Sequence, residues 1–260
     1  MMNQISERTM KSTGATLLGL VLMIPSLCEA QEQVPVTLTT KADVVSSYVW
    51  RGMYESGLSV QPTLSAATGN FSLTAWGSVD ISGKGYKETD FTFAYTIKRA
   101  TLSLTDYWWG GESGIYNSRK DGNNNYFQFN NHCTDHILEA GISYQLPLQK
   151  CPLSLSWYTM FWGNDKKSNS NSATVNAYSS YAEISAPFEV QNTSLLFSLG
   201  FSPFESPSNY KNAGFAVTNI SMRASRNIRI TDKYSLPIFA QLVLNPNRED
   251  VHFVFGITLQ

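Results

Sequence analysis

The chain has 260 residues, with 19 basic against 20 acidic side chains, 15% charged residues and 13% aromatic residues. A formal net charge of -1, with Lys and Arg scattered, leaves no basic stripe and so excludes the electrostatic footprint of a nucleic-acid-binding surface. Helix-period blocks rich in Ala, Glu, Lys and Leu are absent, as is any apolar run beyond residue 30 approaching the roughly 20 residues of a spanning helix.

At the N-terminus, Arg8 and Lys11 form a basic region and Ala15 to Leu27 an apolar one broken at Pro25. Cys28-Glu29-Ala30 reads as a small-x-small cleavage site. Residues 1–30 are therefore expected to be an export signal and residues 31–260 the mature domain. Bulky Leu27 before Cys28 argues against lipid attachment at that cysteine.

Beyond residue 31 the pattern is period-two alternation, the signature of strands with two unlike faces. In "TDFTFAYTIK" Phe91, Phe93, Tyr95 and Ile97 share one face; in "DVHFVFGITL" Val251, Phe253, Phe255, Ile257 and Leu259 do the same. Alternation bounded by Gly, Asn, Asp and Pro clusters predicts twelve strands. They lie near 38–51, 58–67, 71–80, 89–98, 101–109, 135–146, 152–162, 177–187, 193–201, 215–226, 235–244 and 251–259. Connections after odd strands tend to be long and polar, such as "GNDKKSNSNSATVN", whereas those after even strands are mostly tight, such as "TGN" and "RA". An even number of strands of about 10 residues, with long loops on one side, is the arrangement of an outer-membrane barrel. A secreted β-sandwich is the alternative, and Pro62 fits a closed barrel only as a bulge near the rim.

The alternation assigns faces. Leu38, Val44, Tyr48 and Trp50 are expected to point outward and Lys41, Asp43 and Arg51 into the lumen, together with Asp80, Asp90, Lys98, Asp106, Glu139, Glu183 and Arg223. Tyr48, Trp50, Tyr107, Trp108, Trp109, Trp162 and Tyr178 sit near the long loops, where an interfacial aromatic girdle belongs.

The stretch "DVVSSYVWRGMYESGLSVQPTLSAA", Asp43 to Ala67, resembles the opening of the TorF-type porins, the Gcw_chp family. Their first strand ends in an aromatic-x-x-Arg-Gly signature, matched by Tyr48, Arg51 and Gly52. "FSLTAWGSVDIS" and "ETDFTFAYTI" resemble the next two strands, so the likeness covers about the first third of the mature chain. It implies a barrel in the bacterial outer membrane, surrounded by lipid and lipopolysaccharide and inserted by barrel-assembly machinery. The C-terminal Gln260 departs from the aromatic ending commonest in such barrels, although Phe253 and Phe255 precede it at the matching parity.

No hydrolase, zinc-protease, phosphate-loop or Cys-x-x-Cys motif occurs, and neither a cofactor nor a metal is expected. "NHCTDH" places His132, Cys133, Asp135 and His136 where the longest loop returns, but two His four apart in a strand stand roughly 13 Å from each other. Cys133 and Cys151 flank one strand and should lie too far apart to pair. Lys166 and Lys167 could meet lipopolysaccharide or simply solvent.

The expected function is a porin-like channel for passive diffusion of small hydrophilic solutes, lined by the lumenal charges and narrowed by the loop from Gly110 to Cys133. An enzyme at the extracellular rim and a non-conducting structural or adhesion barrel are the alternatives.

Overall fold

The computed structural model describes residues 35–82, 87–110, 126–131, 133–148 and 152–260. The expected export signal, His132 and Cys151 lie outside the described residues. Among the described residues sixteen strands follow one another: β1 (Thr37–Val45), β2 (Tyr48–Trp50), β3 (Met53–Ser56), β4 (Ser59–Thr68), β5 (Phe71–Asp80), β6 (Lys87–Ile97), β7 (Ala100–Trp108), β8 (His136–Gln145), β9 (Ser154–Gly163), β10 (Lys166–Ser168), β11 (Thr174–Asn176), β12 (Ser180–Val190), β13 (Thr193–Ser202), β14 (Ala216–Arg229), β15 (Ser235–Asn245) and β16 (Asp250–Leu259).

Twelve of them close into one barrel in the order β1-β16-β15-β14-β13-β12-β9-β8-β7-β6-β5-β4, and β1 pairs antiparallel with both β4 and β16. The all-β, twelve-stranded antiparallel barrel is thus as the alternation predicts, and closure leaves no free sheet edge. Among the described residues no helix is long and apolar enough to cross a membrane.

Leu73, Phe93, Leu104, Ile142, Leu199 and Phe253 stand exposed on the outer face. Residues of the alternate parity turn inward and pair across strands through hydroxyls: Ser65 with Thr74 at 2.8 Å, Thr92 with Thr105 at 3.0 Å and Thr96 with Thr101 at 2.9 Å. The exterior is apolar and much of the lumen polar. Among the described residues the loops also segregate: 46–58, 81–82, 109–110, 126–131, 133–135, 164–179 and 203–215 lie at one end, while the turns 69–70, 98–99 and 191–192 lie at the other.

Three local expectations need correction. Pro62 causes no bulge, because the β4–β5 ladder keeps one register from Val60↔Val79 to Thr63↔Trp76, and Pro62 falls opposite Gly77, which has no side chain to crowd its ring. Lys98 is not lumenal; it occupies the two-residue β6–β7 turn with φ 55°. The first strand does not run to Arg51. It ends at Val45, where Ser46 makes its last bonds to β16, donating to the Phe255 carbonyl at 2.8 Å and accepting from the Phe255 amide at 2.9 Å. The chain then leaves the wall and forms the separate hairpin β2–β3.

Candidate functional site: a hairpin across the lumen

Why the chain turns where it does is visible in two residues. Trp50 pairs with Met53, so Arg51 and Gly52 form a two-residue turn, with φ of 49° and 85°. Positive φ at both central positions is the type I′ turn that suits strand twist. Gly52 is needed twice over, since a Cβ there would lie 1.8 Å from the Thr218 carbonyl oxygen of β14. Asn245 of the neighbouring strand β15 donates to the Gly52 carbonyl at 3.0 Å, so the turn rests on the β14–β15 wall. Arg51 is a costlier occupant of left-handed backbone, so its side chain must gain what its backbone loses.

That gain comes from the opposite wall. Arg51 Nη1 and Nη2 donate to Glu139 Oε2 and Oε1 at 2.6 and 2.8 Å, and Nη1 also donates to Tyr210 Oη at 2.7 Å. Glu139 accepts a further bond from Tyr107 Oη at 2.9 Å. The guanidinium carbon lies 4.5 Å from the ring centres of Trp50 and Tyr158 and 4.7 Å from that of Tyr181. A planar cation held by a bidentate carboxylate and aromatic faces is the arrangement in which Arg is hardest to replace. With 10% and 2% of the two side chains exposed, the pair is nearly dry.

The ring order shows how far this contact reaches. β9, which carries Tyr158, is the sixth strand round from β1 in either direction, and β8, which carries Glu139, is next to it. The hairpin therefore leaves the wall beside β1, rests its tip against β14 and β15, and sends the Arg51 side chain across the lumen to the far wall. Trp50 and Tyr181 both stack on Tyr210, with ring centres 5.9 and 5.8 Å away, so the loop 203–215 closes over the same point. Two cavities flank the hairpin. One of about 330 Å³ faces the long loops and is bordered by Trp50, Tyr54 and Glu55; one of about 100 Å³ lies against the wall beside Tyr48, Val49 and Arg223.

The residues expected in the lumen divide accordingly. Glu139, Asp90, Glu183 and Arg223 lie on the inward face. Asp90 is buried, Glu183 accepts from Tyr181 Oη at 2.6 Å and Ser198 Oγ at 3.2 Å, and Arg223 covers the Phe239 ring at 3.5 Å. Lys41 and Asp43 are also inward and pair at 3.3 Å. Asp80 has inward parity but ends β5 at the rim, where it accepts from the Ser82 amide at 2.7 Å. Arg51 reaches the lumen, though from the hairpin rather than the wall. Asp106 is a correction. It pairs with Leu138 and shares the outward face of Leu102 and Leu104. There it meets His136 Nδ1 at 2.9 Å, while His136 Nε2 lies 2.5 Å from the Tyr126 carbonyl oxygen and Phe129 stacks on the imidazole at 4.3 Å.

This places the described part of the long loop, residues 126–131, over the outside of the rim. Residues 111–125, which the sequence reading gave the constriction, lie outside the described residues. The hairpin, through the Arg51 side chain, is the element seen to cross the lumen. Among the described residues no group of three or more His, Cys, Asp or Glu could hold a metal, and Cys133 is free. Tyr48, Trp50, Tyr107 and Trp109 are no girdle; they turn inward, and Trp109 Nε1 donates to Glu88 at 2.6 Å. Lys166 and Lys167 belong to the ordered hairpin β10–β11, bonded to Asn131 at 3.1 Å and Glu205 at 3.0 Å. The sequence reading missed Glu55, Glu88, Tyr107, Tyr158 and Tyr181 as lumen groups, though inward parity marks the four on wall strands. Nothing local marks Tyr210, which is 159 residues from Arg51.

No family model matches the chain, so the resemblance to TorF-type porins gains no support there, and no curated protein matches. Among solved structures the chain is similar to the COG4313 outer membrane channel from Pseudomonas putida F1. The likeness has 16% identity and a TM-score of 0.43, and covers 90% of this chain and 97% of that one. The assignment of the fold rests on the closed ladder itself.

Proposed function

We propose that this barrel is a channel of the bacterial outer membrane that passes small hydrophilic solutes by passive diffusion, and that the β2–β3 hairpin is its gate. Lipid and lipopolysaccharide would surround the apolar exterior, and barrel-assembly machinery would insert it. The observation that carries the reading is the Arg51–Glu139 contact: a loop element, through the Arg51 side chain, spans a polar lumen and separates two cavities that its withdrawal would join. The lumenal charges Lys41, Asp43, Asp90, Glu183 and Arg223 would then face passing solutes and set charge preference in a confined site. Twelve strands give a narrower lumen than the 16- to 18-stranded porins, so the open path would be small. Liposome swelling tests the solute class: protein lacking residues 47–57 should admit monosaccharides faster than larger oligosaccharides. Swelling no faster than protein-free liposomes for every solute would refute passive diffusion.

A further inference from the structure

The larger cavity opens toward the long loops and is built from two kinds of wall. On one side stands the hairpin, with Trp50, Tyr54 and Glu55; on the other stand loop residues held rigidly in place. Buried Asp165 fixes that second wall, accepting from the Ser179 amide at 2.8 Å, from Ser179 Oγ at 2.6 Å and from Asn209 Nδ2 at 2.7 Å. Ser208 Oγ donates to the Lys166 carbonyl at 2.6 Å. A preformed wall lowers the ordering cost of binding.

The lining has a definite chemistry. Trp109 and Tyr54 border the cavity with ring surface, and Asn164 and Asn209 with amides suited to hydroxyl groups. Lys211 and Arg248 add two cations. Arg248 Nε is 3.8 Å from Asp250, and both side chains are nearly half exposed, so that pair is loose. Among the described lining residues the only carboxylate is Glu55, and burial with the neighbouring Glu88 charge raises its pKa to about 8. The two cations Lys211 and Arg248 therefore outnumber the carboxylates on the described lining. A volume of about 330 Å³ lies at the small end of ligand pockets.

We propose that this cavity recognises small hydroxylated carboxylates of the sugar-acid class, and that occupancy is linked to hairpin seating because Trp50, Met53, Tyr54 and Glu55 belong to both. Ring surface would take the C–H face of the sugar, the amides its hydroxyls, and Lys211 with Arg248 its carboxylate. The recognition stands on the cavity alone; the linkage rests on the channel reading. A ligand shifts the gate only by as much as it binds the two states unequally, and a site half made of the gate meets that condition.

The test uses the whole protein in detergent, with glucuronate as probe, glucose as the uncharged ring and acetate as the ringless charge, read by intrinsic tryptophan fluorescence. Glucuronate should bind saturably, the other two at least about tenfold more weakly, and Lys211→Gln with Arg248→Gln should weaken glucuronate by about tenfold or more. Unchanged heat-modifiable gel migration checks that the variant barrel is intact. Absence of saturable glucuronate binding, equal binding of glucose, or an unaffected variant would overturn the recognition. In planar bilayers, glucuronate should alter the open probability of wild-type protein but not of the variant. Binding without any change in open probability would overturn the linkage alone. Absence of conductance even after hairpin deletion would instead overturn the channel reading and leave the binding result standing.

Discussion

Arg51 and Glu139, 88 residues apart in sequence, meet in a bidentate ion pair that joins the tip of one hairpin to the opposite wall of the barrel. Neither charge has an easy alternative there. Removing one partner of a nearly dry pair leaves the other uncompensated, at a cost of about 3 to 5 kcal/mol. Arg51→Ala should therefore destabilise the seated hairpin by that order and raise conductance. Glu139→Gln should do likewise, and the double variant should lose less than the sum of the singles, measured by thermal melting and bilayer recording in parallel. Full additivity would show that the pair does not act as one unit.

Gly52 offers a test that touches no charge. Gly52→Ala forces a Cβ against the Thr218 carbonyl and strains a backbone at φ 85°. The wall strands pair with one another and the hairpin forms a sheet of its own, so the barrel should remain heat-modifiable on a gel while conductance rises. Conductance equal to wild type would mean that the turn can shift without Arg51 leaving the far wall.

The gate should also respond to pH through Glu55. Burial first, then the charge of Glu88, raises its pKa from 4.5 to about 8, with Lys211 opposing. The raised value belongs to the seated hairpin, so between about pH 4.5 and 8 the seated state binds more protons than the released one. Seating is favoured fully below that window and weakens as pH rises through it. Glu88, Lys211 and the loop cation Arg248 face the same space, so the control is Glu55→Gln, which should flatten the dependence. Open probability that falls between pH 5 and 9 in wild type would contradict the assignment.

His136 separates the hairpin from the long loop as the closing element. Its imidazole is fully buried between Asp106 and the segment 126–131 on the outside of the rim. His136→Ala should speed hydrogen exchange at the amides of 126–131 and leave conductance unchanged. A conductance change equal to that of Arg51→Ala would return the constriction to the long loop.

Most of the barrel was legible because a wall strand has one apolar and one polar face, and sequences such as Phe91 to Ile97 write that alternation directly. The first strand was overextended for a physical reason. Tyr48, Val49 and Trp50 are surrounded on both faces inside the lumen, so their apolar run continues the pattern of Leu38 and Val44 without belonging to the wall. Asp106 was assigned to the wrong face although Leu102 and Leu104 share its parity, because a charge at a strand end was read as lumenal when a loop segment instead covers it outside. Arg51 was recognised as a lumenal charge, but its partners were not, since Glu139 and Tyr210 are joined to it by barrel closure rather than by spacing. Resemblance marked the Arg-Gly pair; only the φ values and the Thr218 contact explain it.

Single-channel recording of wild-type protein beside a variant with residues 47–57 replaced by a short Gly-Ser link tests the hairpin gate most directly. The wild type should be closed for most of the record with brief openings, and the deleted variant should conduct steadily, at a level below that of a 16-stranded porin in the same bilayer. Two proteins that are equally silent, with both barrels heat-modifiable and the porin control conducting, would contradict the gate and leave a closed, structural barrel.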